Sequence, residues 1–221
     1  MKNLKGEELP FRNLREKRDW YAEAYEVAIP ITIIDKEEGA VYEGIYGKDD
    51  VFFNVLLPTI ASRGVTTVLD VGAAQGRYTA FFHQLGYQVT GSEIVEERTD
   101  ILRESLNSHG FETVPAITQD IEEVDIDDIG TWDLIFLSDI VEHFMDWELT
   151  IEKIALRCKY CYMLIPGEDS WSFSPDHLHR FGIHEITNLM SKFDNLEFAL
   201  KKRYNKNNYY WYSLLMKGFV L

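Results

Sequence analysis

The residues of DIVEH carry the densest chemistry in this sequence. Asp139, Glu142 and His143 stand at i, i+3 and i+4. If Asp139 opens a helical turn, all three side chains lie on one face. Two carboxylates and an imidazole suit Mg²⁺, Mn²⁺ or Zn²⁺, with positions left open for water or substrate. His177 or His179 of SPDHLHRFG could add a further ligand. A divalent ion held there would lower the pKa of a bound hydroxyl and orient it. The same residues admit plainer readings: His143 as a metal-free general base, with Glu142 beside it, or His143 as a packed residue and Glu142 as a helix cap.

A second constellation lies upstream. In VLDVGAAQGRYT, residues 68–79, Gly72 and Gly76 sit between a β-branched apolar run and an amphipathic one. Glycine there permits a tight turn and close backbone approach to a ligand. The dinucleotide fingerprint GxGxxG is not met, because position 74 is alanine. Asp70 precedes the first glycine by two residues; a diphosphate gains nothing from a carboxylate there, whereas a cationic ligand does. Both points argue against the alternative of a nicotinamide-dependent oxidoreductase. Glu93, at the end of YQVTGSEI, is placed to accept both ribose hydroxyls, and Asp120 to meet an adenine amino group. Cys158 and Cys161 form a CxxC, but no second pair completes a zinc site, so buried thiols are expected.

These residues need elements to position them. The patterns predict a helix ending at Gly64, strands over 65–72, 87–94, 113–118, 132–139 and 160–167, and helices over 77–86, 96–110, 147–157 and 184–193. Two alternating runs, LEFALKKRY and YYWYSLLMKGFV, close the chain as a hairpin. Alternating strands and helices mean a Rossmann-like, doubly wound α/β sheet, whose ligands lie beyond the carboxyl ends of the strands. The three acids Asp70, Glu93 and Asp120 would then line one crevice.

VLDVGAAQGRYT, GSEI, QDIEEV and WDLIFLSDIVEHF, in this order, resemble the class I S-adenosylmethionine-dependent methyltransferases. HLHRFGIHEITNLM resembles a late segment of the subgroup that carries an E-H pair. The resemblance covers roughly 65–221. It implies a seven-stranded sheet of order 3-2-1-4-5-7-6 with strand 7 antiparallel. It also implies cofactor contacts at Asp70, Gly72, Ala73, Gly76, Glu93, Asp120, Ile121 and Ser138. Ubiquinone-type and small-RNA O-methyltransferases place metal ligands at such E-x-x-E-H positions, which correspond here to Asp139, Glu142 and His143, with His179 as a further candidate. Ala74 replaces the middle glycine of the first motif, and the usual glycine pair before the fifth strand is missing.

Composition narrows the partners. With 37 acidic and 22 basic residues the net charge is −15, a field that repels phosphate backbones and disfavours nucleic acid. No run is long enough to span a bilayer and the start lacks a signal peptide, so a cytoplasmic location is expected. Residues 1–50 read as an extension whose Trp20, Tyr21, Tyr25, Tyr42 and Tyr46 could form a lid. Trp171 and Phe173 could wall an acceptor pocket. The expected activity is methyl transfer to a small-molecule acceptor, with oxygen favoured because the N-P-P-Y motif of base amino methylation is absent. A non-catalytic cofactor-binding partner or sensor is the remaining alternative. The sequence does not indicate the oligomeric state.

Overall fold

The computed structural model describes residues 11–24, 52–167, 176–192, 196–203 and 210–219. Tyr25, Tyr42, Tyr46, Trp171, Phe173 and the 204–209 connection lie outside the described residues. Seven strands form one sheet: β1 (Thr67–Val71), β2 (Gln88–Glu93), β3 (Ala116–Thr118), β4 (Trp132–Ser138), β5 (Cys158–Pro166), β6 (Leu196–Arg203) and β7 (Tyr210–Lys217). Their order is β3-β2-β1-β4-β5-β7-β6. All neighbours are parallel except β7, which is antiparallel to β5 and β6. The chain winds outward from β1 to β3 and then returns to place β4 on the other side of β1. This reversal opens a crevice beyond the carboxyl ends of those two strands.

The helices are α1 (Leu14–Ala24), α2 (Leu57–Ser62), α3 (Arg77–Gln84), α4 (Glu96–Ser108), α5 (Trp147–Ala155) and α6 (Ile183–Lys192). Buried strands alternate their side chains between two apolar layers. Val68, Leu134, Phe136, Tyr162 and Leu215 meet α2, α3 and α4 on one face. Leu69, Ile135, Leu137, Met163, Leu214 and Met216 meet α5 and α6 on the other. Because both faces are covered, the central strands are apolar throughout, as a buried parallel sheet requires. Cys158 and Cys161 are free, buried thiols within this core. Among the described residues no helix is long and apolar enough to cross a membrane.

Two elements are shorter than their patterns suggest. The helix expected to end at Gly64 is divided: Phe52–Leu56 winds as a wider π-type turn, and α2 begins with Pro58 in its first turn. A proline cannot donate to the preceding turn, so it fits only where that donor is unneeded. The third strand begins at Ala116 because Pro115 has no N–H for a ladder; its carbonyl instead accepts from Gly91 N at 3.0 Å.

Gly218 closes β7 against the end of α5. Its N–H reaches Lys159 O at 2.8 Å, and Phe219 N reaches Ala155 O at 2.8 Å. A Cβ on Gly218 would fall 1.8 Å from the Cys158 carbonyl oxygen, a backbone atom that cannot step aside. Gly218→Ala is expected to destabilise the fold by about 2–3 kcal/mol. A urea melt checks this, and an unchanged midpoint would contradict it.

Candidate active site

The glycine turn after β1 is built from backbone strain and one buried acid. Gly72 N and Ala73 N both donate to Ser92 O, at 2.9 and 3.1 Å, and Gly76 N donates to Ala73 O at 2.8 Å. Gly76 has φ +83°, and a Cβ there would meet Leu102 and Leu106 of α4 at 2.8–2.9 Å. Ala74, where the resembling family has glycine, is held at φ +51°. Its N–H donates to Glu93 Oε1 at 2.5 Å, tying the turn to the end of β2. Asp70 is 2% exposed and accepts from Thr79 Oγ1 at 2.6 Å. Burial, with a smaller push from Glu93, raises its carboxyl to about 7 despite the Thr79 bond. Burial also raises Glu93, with Arg98 opposing from 4.0 Å.

Asp120 follows β3. Its Oδ1 accepts from Glu122 N at 3.0 Å. Its Oδ2 is buried without a hydrogen-bond partner, which suits a ligand that carries a donor. Ile121 beside it is buried, and Ser138 at the end of β4 donates to Asp139 Oδ2 at 3.2 Å.

The candidate reacting centre lies after β4 and β5. Val141–His143 forms a single 3-10 turn, not the helical turn expected from Asp139. Asp139 stands before it in a left-handed conformation, φ +51°, with its N–H on Leu164 O at 2.9 Å. The side chains that converge are Glu142, His143 and His177, whose donor atoms all lie within 4.8 Å of one another. Glu142 Oε1 is 3.8 Å from His143 Nε2 and 3.9 Å from His177 Nε2. Glu142 Oε2 is buried and unpartnered. Burial first, then Asp139 and Asp176, push its carboxyl up to about 8 against the pull of His143. Burial and the neighbouring His143 push His177 down to about 4, leaving a neutral imidazole at neutral pH. Burial would lower His143 as well, but the Asp176 hydrogen bond and the fields of Glu142 and Asp176 outweigh it and raise the ring.

His179 is turned away. Its Nε2 lies 2.7 Å from Phe144 O, while the N–H groups of Leu178 and His179 are spent on Glu142 O. Alternate residues of an extended segment point to opposite sides, so of the two histidines in HLH only His177 faces the centre.

Helix α1 covers both ends of this crevice. Lys17, 2% exposed, pairs with Glu122 Oε2 at 2.5 Å. Arg18 pairs with Glu123 at 2.6 Å and stands 4.0 Å from Asp120 Oδ2. Tyr21 lies beneath the Arg98 guanidinium, 5.9 Å from its ring centre, and reaches Asp176 and His143. Trp20 packs on Phe11.

Residues 69–159 match the family described as a methyltransferase domain. The fold is shared with solved methyltransferases. One is the N-terminal domain of EvdMO1, solved with S-adenosylhomocysteine bound and also in the presence of S-adenosylhomocysteine and D-fucose. It has 16% identity and a TM-score of 0.62 over 94% of this chain and 98% of that one. A second is magnesium protoporphyrin IX methyltransferase (ChlM) from Synechocystis PCC 6803 with S-adenosylmethionine bound, at 18% identity, 74% and 76% coverage and TM-score 0.55. A third is an S-adenosylmethionine-dependent methyltransferase from Clostridium acetobutylicum ATCC 824, at 12% identity, 74% and 89% coverage and TM-score 0.59. A search of curated protein sequences gave no match. Residues 69–159 thus match a methyltransferase-domain family, and the fold is the one seen in these S-adenosylmethionine-dependent methyltransferases.

Of the expected donor contacts, Asp70, Glu93 and Ser138 lie at the carboxyl ends of β1, β2 and β4, Gly72, Ala73 and Gly76 on the turn after β1, and Asp120 and Ile121 just after β3. The expected metal set is rearranged: Glu142 and His143 are joined by His177, while among the described residues Asp139 and His179 stand outside the cluster. Sequence reasoning did not single out Lys17, Glu122 or Asp176; the last two lie within QDIEEV and SPDHLHRFG, segments read there for other residues.

A cationic methyl donor such as S-adenosylmethionine, held at this turn, would favour ionised Asp70. Binding therefore expels a proton wherever Asp70 is still protonated. Donor affinity is expected to rise with pH up to about 7 and to level off above it. Calorimetry of S-adenosylmethionine in buffers of different ionisation enthalpy checks this. Asp70→Asn should abolish both the proton release and the slope.

Proposed function

We propose that this chain is a methyltransferase that moves the methyl group of S-adenosylmethionine to a hydroxyl oxygen of a small-molecule acceptor. The observation that carries the reading is the convergence of a buried carboxylate and two imidazoles, Glu142, His143 and His177, after β4 and next to the donor crevice. Sulfonium chemistry brings its own driving force, so the protein must orient the acceptor and take its proton. In the displacement the acceptor O–H yields its proton to this cluster. An oxygen lone pair then forms the bond to the methyl carbon. The carbon–sulfur bond breaks toward sulfur, leaving S-adenosylhomocysteine.

The cluster also fits a divalent cation: a buried, unpartnered carboxylate oxygen and two imidazole nitrogens are a donor set suited to Zn²⁺ or Mn²⁺. Glu142, His143 and His177 would hold the ion, which when bound makes a nearby hydroxyl more acidic. The raised carboxyl of Glu142 must lose its proton for this, so ion binding strengthens with pH through about 8.

A small acceptor accords with the net charge of −15, which repels RNA and DNA. The EvdMO1 domain solved in the presence of D-fucose and the magnesium protoporphyrin IX enzyme are neighbours with small ligands named. Two free thiols in the core suit a reducing, cytoplasmic compartment.

Turnover is measured with radiolabelled S-adenosylmethionine across a panel of hydroxylated sugars and phenols, with and without chelator and with Mg²⁺, Mn²⁺ or Zn²⁺ added back. Activity is expected to fall about 100-fold in His143→Ala, and to be lost with chelator and restored by one ion. His143→Ala turning over like the wild type in both conditions would overturn the proposal.

A further inference from the structure

We propose that Tyr21 and Asp176 are positioning residues that hold the His143 ring in the Nδ1-protonated tautomer, so that Nε2 is the atom offered to the reacting centre. The proposal rests on the reading of His143 given above and adds the groups that make the ring competent. Nothing in the DIVEH segment supplies them. One comes from the loop before α6 and the other from α1.

The donors and acceptors around Nδ1 decide where the ring's proton sits. Asp176 Oδ2 lies 3.2 Å from it and the Asp176 backbone oxygen also 3.2 Å. A carboxylate oxygen and a carbonyl oxygen can only accept. The third neighbour is the Tyr21 hydroxyl, again at 3.2 Å. That hydroxyl has one hydrogen, and it is directed at Asp176 Oδ2, 2.7 Å away. What Tyr21 presents to the imidazole is therefore its oxygen lone pair. All three neighbours of Nδ1 are acceptors, so Nδ1 carries the proton. In the neutral ring Nε2 then holds the lone pair. Nε2 is 3.8 Å from Glu142, beyond a hydrogen bond, and among the described residues no hydrogen bond claims it on the side where His177 also points. A ring with its proton on Nε2 would set two lone pairs against each other at Nδ1 and leave a buried acceptor pair unsatisfied.

The arrangement is buried enough to be fixed. Asp176 is 1% exposed and Tyr21 7%. Tyr21 is delivered by a helix anchored through Lys17–Glu122 and Arg18–Glu123. The reacting centre is thus incomplete without α1. Lone-pair direction on Nε2 serves equally a ring that takes a proton and a ring that ligates a cation, since both need that nitrogen unprotonated.

The test reads the ring directly in the full chain. ¹⁵N spectra of His143, assigned with His143→Gln and recorded at a pH where the ring is neutral, are expected to show Nδ1 protonated and Nε2 bare. Asp176→Asn, whose amide can turn a donor toward Nδ1, is expected to move the proton to Nε2. It should lower kcat about 10- to 100-fold, while KM for S-adenosylmethionine and affinity for S-adenosylhomocysteine stay at wild-type values. Tyr21→Phe keeps the ring volume and the helix, and is expected to give a mixture of tautomers with a smaller loss of kcat. A wild-type ring protonated on Nε2 would overturn the proposal whether or not either variant folds, as would an Asp176→Asn chain with wild-type kcat. A wild-type ring protonated on Nδ1 in a chain that methylates no hydroxyl supports the positioning and sinks the hydroxyl-acceptor reading alone.

Discussion

Carboxylates resist leaving water, and this fold withdraws a row of them at the carboxyl ends of its parallel strands. Asp70, Glu93, Glu142 and Asp176 are each at most 5% exposed, and Asp120 has a fully enclosed oxygen. A buried anion without a partner costs several kcal/mol, so each must be neutralised, hydrogen-bonded or matched by positive charge. The protein does some of all three. Thr79 and the Ala74 amide donate to two of the acids, Tyr21 to a third, and Arg98 and Arg18 stand at the margins. What remains is a crevice still short of positive charge, which is the environment a sulfonium ligand with a free amino group completes.

The same shortage explains why α1 belongs to the site. It brings Lys17 and Arg18 to the acidic turn after β3 and, one turn later, Tyr21 to the reacting centre. Residues at i and i+3 or i+4 share a helical face, so one short helix reaches both Asp120 after β3 and the imidazole of His143. Glu122 fixes its height: one oxygen takes Lys17, and the other takes the N–H groups of Met145 and Asp146 that lead into α5. A single carboxylate thus joins the covering helix to the floor beneath it.

The sheet and the turns at the carboxyl ends of β1 to β3 were legible in the sequence because they are local. A strand–glycine turn–helix unit such as VLDVGAAQGRYT is written within a dozen residues, and the closing hairpin within two dozen. The acids that end β1, β2 and β3 could be placed because each follows its own strand. The reacting centre was legible only in part, because its partners are far apart in the chain. Tyr21 meets Asp176 across 155 positions, and no periodicity links them. The choice of His177 over His179 depends on how Glu142 O captures the two amides after His177, a contact made by tertiary folding. The i, i+3, i+4 reading of Asp139 failed for a backbone reason: a left-handed residue cannot begin the helical turn that the spacing assumed.

Ala74 has one more consequence. A methyl-bearing residue in the left-handed region costs about 1 kcal/mol relative to glycine, and here the Glu93 hydrogen bond holds it in place. In exchange the loop samples fewer shapes when empty than a glycine loop would. Less freedom is then surrendered when a guest settles against it. Comfort is traded for readiness at this bend.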